Sequence, residues 1–260
     1  MHETVRDWRP PSRVLRDLEV PRAIGELAAY YAGRPVARFA PRGDGHGVLV
    51  LPGFLATDLS TRPLRAFLRR LGYDARPWRL GRNLGPIDIV LDGLPQRLRE
   101  LQATTGVPVS LVGVSLGGSY ARELARAHSE LVRQVITLGS PFRLPIRYTG
   151  RPLTHAEGIY RAFESRYSRR LLDQPEEYDL PPLPVPATAI YTRTDGVVPW
   201  QACLEREGPS SESVEVWGSH SGLGHNPLAL AVIADRLAQP PGSWRGFRHP
   251  PPWGRWRPAA

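Results

Sequence analysis

"SLVGVSLGGSYARELARAH", residues 110 to 128, sets three kinds of chain end to end. Val109 to Val114 is an apolar, β-branched run with strand character, and Tyr120 to Ala127 is rich in helix formers. Between them lies Gly113-Val114-Ser115-Leu116-Gly117. A strand that becomes a helix over so few residues must bend sharply. Such a bend strains the backbone of its central residue and leaves that side chain exposed at the turn. Gly113 and Gly117 leave room on either side of Ser115, and Gly118 and Ser119 let the new helix lie close to the sheet. A bare Gly-x-Ser-x-Gly arises by chance about 0.1 times in a chain of this kind. The weight therefore rests on the strand before it and the helix after it.

The same rhythm extends in both directions. "HGVLVLPGF" (46–54) is a buried strand ending in Pro-Gly. Thr61 as N-cap and Pro63 in the first turn open a helix that closes at Gly72. "YDARPW" is a strand, "RLGRNLGP" a loop, and residues 87–105 a helix ending before Gly106. Beyond the opening stretch, "VRQVITLGS", "VPATAIYTR" and "SVEVWG" give further strands, and residues 227–238 a last helix. Strands alternating with helices predict an α/β fold, a mostly parallel sheet with helices on both faces.

This core spans 46–238, and residues 141–184 break its rhythm as a lid-like insertion. Ile159, Phe163, Tyr167 and Leu171, spaced by four, predict one apolar helix face within it. Residues 1–45 form a lead-in, loose to residue 12 and then a broken helical period over 13–32. That period carries Val14, Leu15, Leu18, Ile24, Leu27 and Ala28, with Pro21 in its middle. The helix either packs on the domain or lies along a surface. Residues 239–260, rich in Pro, Trp and Arg, are predicted to lack regular structure.

Composition narrows the function classes. At 260 residues, 41 % hydrophobic and 23 % charged, the chain suits one globular domain. All 34 basic residues are arginine and the net charge is +9. The arginines are interleaved with acids and form no basic–aromatic stripe before the tail, so no nucleic-acid partner is predicted. Peripheral contact with an anionic membrane stays open. A lone cysteine, Cys203, excludes an internal disulfide, no Cys/His cluster has zinc spacing, and no metal or cofactor is expected. With no span-length apolar run and no signal-peptide core, the expected location is the cytoplasm.

A serine hydroxyl needs a base, and the base needs an orienting carboxylate. Both stand beyond later strands. "TRTDGVVPW" follows "ATAIY" and offers Asp195, with a glycine behind it for a tight turn. "GSHSGLGHNP" follows "SVEVW" and offers two histidines. His220 lies nearer the strand end and is favoured as base. His225 precedes Asn226-Pro227, a helix start, and suits a structural hydrogen bond. A tetrahedral intermediate also needs N–H donors for its oxyanion. The backbone N–H of Leu116, next after the serine, is one. The loop Pro52-Gly53-Phe54-Leu55 supplies the other, assigned to the N–H of Phe54. The order Ser, Asp, His is that of α/β hydrolases.

Taken together, "LPGFLATDLSTRPLRAFLRRLGY", "GRNLGP", "LVGVSLGG", "TDGVVPW" and "GSHSGLGHNP" resemble the α/β-hydrolase superfamily, specifically lipases and esterases of actinobacterial type, from about residue 46 to 238. "HSGL" is similar to the His-x-Gly-Leu run of small bacterial lipases. Pro52-Gly53 stands where many lipases have His-Gly. The resemblance implies hydrolysis of a small-molecule or lipid ester through an acyl-enzyme, without a cofactor. An acyltransferase or thioesterase would use the same residues, and a non-catalytic binding protein would use the same scaffold. Phe142, Phe163 and Tyr167 are candidates for one wall of an acyl pocket, and Leu55, Trp78 and "GRNLGP" for the other.

Overall fold

Strand β1 (Gly47–Leu51) shows how the layers arise. Its four apolar residues alternate in direction, so Val48 and Val50 feed one core while Leu49 and Leu51 feed another. A strand buried on both faces must lie inside a sheet with helices above and below. The remaining strands are β2 (Asp74–Pro77), β3 (Val109–Val114), β4 (Val132–Leu138), β5 (Ala187–Tyr191) and β6 (Ser211–Glu215). They form one six-stranded, all-parallel sheet in the order β2-β1-β3-β4-β5-β6. The computed structural model describes residues 8–33, 39–144, 152–168, 177, 180–206 and 208–248.

The helices are α1 (Arg13–Asp17), α2 (Glu19–Ala32), α3 (Arg62–Leu71), α4 (Asp88–Thr105), α5 (Leu116–Ala127), α6 (Glu157–Ala162) and α7 (Pro227–Leu237). Helices α3 and α7 pack on the face of Val48 and Val50 through Leu64, Leu68, Leu230 and Ile233. Helices α4 and α5 cover the other face through Leu94, Leu98, Ala121 and Leu124. Among the described residues, no helix is long and apolar enough to cross a membrane.

The strand order fixes where a site belongs. From β1 the chain moves to one edge to form β2, then returns past β1 to form β3. The connections leaving the carboxyl ends of β1 and β3 therefore diverge, and a crevice opens between them. Pro52–Leu55 and Ser115 flank it.

Several local expectations are corrected. Pro21 does not interrupt the helical period. It occupies the third position of α2, where a missing N–H costs nothing, and the break falls at Leu18, between α1 and α2. Of the apolar positions in that period, Val14, Leu18 and Ile24 are exposed, whereas Leu27 packs against the core beside buried Tyr30. Thr61 does occupy the N-cap of α3, but its hydroxyl makes no capping bond; it donates to the Asp58 carbonyl and accepts from Arg65 Nε. In the insertion, the helix stops at Ala162, a single 3-10 turn follows at Glu164–Arg166, and Tyr167 is extended. Ile159, Phe163 and Tyr167 thus share no continuous helix face, and Leu171 lies outside the described residues. Residues 239–248 carry no helix or strand, and Phe247 packs against the α7 side of the core.

Candidate active site

Ser115 has φ 49° and ψ −124°, a left-handed backbone that a side-chain-bearing residue rarely adopts. The surrounding glycines make this turn possible. A Cβ on Gly117 would lie 2.5 Å from the Leu51 carbonyl oxygen and 2.7 Å from that of Pro52, and one on Gly118 would lie 2.6 Å from Ser140 Cβ. A Cβ on Gly113 would overlap the backbone of Gly118. The Ser115 N–H is held by the Leu138 carbonyl of β4 at 2.8 Å.

His220, on the loop after β6, places Nε2 3.1 Å from Ser115 Oγ. Its Nδ1 lies 2.7 Å from Asp195 Oδ2, on the turn after β5. A carboxylate only accepts, so Nδ1 carries the proton and Nε2 presents a lone pair to the hydroxyl. The other Asp195 oxygen accepts the N–H groups of Val197 and Val198, both at 2.8 Å. Asp195 is therefore fixed from both sides, at 3 % exposure. Burial disfavours the imidazolium of His220, but the charge and hydrogen bond of Asp195, then the charge of Glu19, outweigh it and raise its pKa above the ordinary 6.5. His225 takes no part; its Nε2 lies 3.0 Å from the Ala23 carbonyl in α2, while Asn226 caps α7.

The loop after β1 lies against the serine. Gly53 abuts it so closely that a Cβ there would sit 3.2 Å from Ser115 Cβ. Among the described residues, none accepts the N–H of Phe54 or of Leu116, which begins α5. Asn83 of "GRNLGP" locks this loop: its Nδ2 donates to the Pro52 carbonyl at 2.9 Å, its carbonyl accepts the Leu55 N–H at 2.7 Å, and its N–H reaches the Ala56 carbonyl at 2.9 Å. Leu55 itself turns with φ 61°.

Aromatic side chains of the insertion gather over the same loop. Phe54 meets Tyr160 and Phe163 edge-on, with centroids 5.1 and 6.0 Å away, and Tyr160 lies 4.8 Å from Tyr167. Tyr167 Oη donates to the Tyr160 carbonyl, and its ring fills the space left by the missing side chain of Gly85. Burial pushes the Tyr160 hydroxyl up to about 12, so it stays neutral. Phe163 and Tyr167 thus stand beside the serine's loop, as does half-buried Leu55. Trp78 is fully buried in the α4–α5 core, and its indole donates to the Gly81 carbonyl at 3.1 Å. Phe142 lies under the Arg122 guanidinium, 3.9 Å from ring centre to Cζ, at a buried ion-pair cluster. Cys203 is buried and burial lifts its thiol well above the ordinary range, so it is inert.

Reading the sequence misses Asn83 as the lock of the β1 loop, Tyr160 as part of the aromatic group, and the charged residues of α2. Tyr160 adjoins the spacing-of-four pattern but lies outside it. Glu19, Arg22 and Glu26 recur at helical spacing, a signal overshadowed by the apolar residues among them.

The architecture and the serine turn together define an α/β-hydrolase fold, and solved structures agree. Aspergillus fumigatus lipase B superposes with a TM-score of 0.55 at 17 % identity, covering 76 % of this chain and 54 % of its own. Mature Bacillus licheniformis lipase BlEst2 gives 0.51 at 16 % identity, covering 76 % and 94 %. A structure from the metagenome-derived lipolytic enzymes LipS and LipT gives 0.52 at 20 % identity, again covering 76 % and 94 %. This chain spans about half the length of the Aspergillus lipase. The sequence matches no protein-family profile and no curated protein.

Proposed function

We propose that the protein is a serine hydrolase of carboxylic esters, with Ser115 as nucleophile, His220 as general base and acid, and Asp195 as orienting carboxylate. Ser115 Oγ adds to the ester carbonyl carbon while His220 Nε2 takes its proton. The carbonyl oxygen becomes an oxyanion and accepts the N–H groups of Phe54 and Leu116. Collapse breaks the bond to the leaving alkoxide, which receives the proton from His220. Water, deprotonated by the same nitrogen, then adds to the acyl-enzyme, and the carboxylic acid leaves as Ser115 is reprotonated. Asp195 stabilises the imidazolium at both proton-carrying stages. The aromatic group of Phe54, Tyr160, Phe163 and Tyr167 supports an apolar acyl chain beside the carbonyl. Lipases and esterases among the superposing structures are in keeping with this chemistry.

The observation that carries the reading is the row Asp195–His220–Ser115, at 2.7 and 3.1 Å, ending on a serine held at positive φ. The test is turnover of p-nitrophenyl esters from short to long acyl chains, with a thioester and an alcohol acceptor run in parallel. Ser115→Ala is expected to lower kcat by about 10⁴ or more and to abolish labelling by a fluorophosphonate. Undiminished ester hydrolysis by that variant refutes the assignment. Faster turnover of the thioester, or transfer to the alcohol in preference to water, moves the reading to thioesterase or acyltransferase on the same residues.

A further inference from the structure

Helix α2 packs Leu27 and Tyr30 on the core near its end, but its first turns are reversed. Val20 and Ile24 are more than 60 % exposed, whereas Glu19 is 5 % exposed and Arg22 and Glu26 face the domain. A helix that packs by the hydrophobic effect does the reverse. Its inward charges meet the two loops that carry Asp195 and His220. Glu19 Oε1 accepts the N–H of Gly196 at 2.8 Å and that of His220 at 3.2 Å; Oε2 accepts the N–H of Ser221 at 3.1 Å. Arg22 donates to the Thr194 carbonyl at 2.9 Å and also to the Gly218 carbonyl. Glu26 accepts the Ser219 N–H at 2.7 Å and Asn226 Nδ2 at 2.9 Å. The loops have been cut back to admit these groups. A Cβ on Gly196 would lie 2.7 Å from Glu19 Cγ, and one on Gly222 would lie 2.6 Å from Glu26 Cδ.

We propose that Glu19 is a positioning residue for the Asp195–His220 pair: its carboxylate ties the turn bearing Asp195 to the loop bearing His220 and holds the imidazole in register with Ser115. One carboxylate accepting three N–H groups from two loops fixes their separation, because a buried N–H left without an acceptor is costly. The same negative charge stands behind the imidazole and favours its protonated form, adding to Asp195. This inference rests on the hydrolytic reading above.

The groups that face this assembly are Asp195 from the β5 turn, Ser115 from the β3 turn, and Arg22, 3.8 Å from Glu19, with Glu26 from α2 itself. Buried Cys203, near Asp195, stays neutral. Glu19→Gln keeps an oxygen for the Gly196 and His220 N–H groups but removes the charge and turns an amide NH₂ toward the Ser221 N–H. Expected per fluorophosphonate-reactive site are a fall in kcat of about tenfold or more with KM little changed, and an acid limb of kcat/KM displaced to lower pH. Ile24→Ala, on the outward face of the same helix, is expected to leave both readouts unchanged. Glu19→Asp keeps the charge but withdraws it by one methylene, so kcat falls while the limb stays in place; this variant serves if the glutamine variant does not fold. NMR titration of the His220 imidazole in the Glu19→Gln protein reads the same displacement without any substrate. A displaced imidazole with no ester turnover in the wild type leaves the positioning role standing and removes the hydrolytic reading. Wild-type kcat per reactive site in Glu19→Asp, or an unmoved imidazole titration in Glu19→Gln, overturns the proposal and leaves Glu19 as a fold element only.

Discussion

Replacing Asp195 with asparagine changes almost no atoms, yet the geometry around it dictates a large effect. Oδ1 accepts the N–H groups of Val197 and Val198 at 2.8 Å each, and Oδ2 lies 2.7 Å from His220 Nδ1. An asparagine can satisfy the two backbone donors only with its oxygen, so its NH₂ must face Nδ1. Two donors cannot share that gap. The imidazole proton moves to Nε2, Nδ1 becomes the acceptor, and the nitrogen 3.1 Å from Ser115 Oγ can no longer take a proton. The expected loss is about 10⁴ in kcat, or about 5 kcal/mol of transition-state stabilisation. Stability should hardly change, because each hydrogen bond at position 195 persists with its polarity reversed at one end. Asp195 also supplies the largest contribution favouring the imidazolium against burial. The wild-type acid limb of kcat/KM therefore lies above 6.5, and in the variant it moves down. The assay is p-nitrophenyl ester turnover per titrated serine as a function of pH, beside a thermal melt. An asparagine variant that keeps more than about a tenth of wild-type kcat, with the limb unmoved, would refute the tautomer argument.

Three further outcomes are expected. Gly117→Ala drives a Cβ against the carbonyl oxygens of Leu51 and Pro52, 2.5 and 2.7 Å away, and should cost about 1–3 kcal/mol while displacing the β1 loop. Chemical denaturation together with a fall in kcat at full labelling would report both effects. Asn83→Ala removes the Pro52 anchor and the acceptor of the Gly85 N–H, so kcat should fall about tenfold with a smaller change in KM, read by steady-state kinetics. Arg122→Met leaves Glu205, whose side chain is 4 % exposed, without its partner and close to Glu177; a loss of about 3–5 kcal/mol is expected, seen as a Tm lower by about 8 °C or more.

The sheet was legible because burial on both faces leaves a mark no polar segment mimics: each of "GVLVL", "VSLVGV" and "ATAIY" is a run of apolar and small residues with few polar interruptions, closed by turn residues. Ser115 was legible for a related reason, since it follows directly on "VSLVGV"; Asp195 and His220 were picked out as the acid and the histidine in the loops after later strands, "ATAIY" and the more polar β6. What lay hidden is set by contacts distant in sequence. Nothing local to Asn83 says that its amide reaches back 31 positions to Pro52. The spacing of Phe163 and Tyr167 predicts a helix, but Tyr167 Oη finds the Tyr160 carbonyl and its ring finds Gly85, and those contacts fold the segment back on itself. Helix α2 misleads most. Its apolar residues suggest the packed face, and Leu27 and Tyr30 do pack on the core, but in its first turns the backbone donors of two loops nearly 200 residues away require carboxylates, and Val20 and Ile24 are left exposed.

A second row of the same three residue types shows what the first requires beyond order. At the opposite end of the sheet, His46 bonds Asp44 through Nδ1 and lies 2.8 Å from Ser110 Oγ through Nε2. Here Ser110 is the second residue of β3, fully buried, with its backbone committed to the sheet. Burial lowers the His46 pKa, and Arg133, which also bonds Asp44 at 2.7 Å, presses it further down by repulsion. Asp44 favours the imidazolium through its hydrogen bond and charge, but burial and the permanent cation it is shared with outweigh it. At Ser115 the hydroxyl stands on a strained turn in the crevice between β1 and β3; burial opposes the imidazolium there too, but a buried carboxylate that accepts two backbone N–H groups and a second carboxylate behind the imidazole outweigh it. On the hydrolytic reading, the difference in reactivity expected between the two serines follows from the electrostatic surroundings of the histidine and the exposure of the serine. A fluorophosphonate that labels Ser115 and leaves Ser110 unmodified is the expected outcome, and labelling of Ser110 would contradict that account.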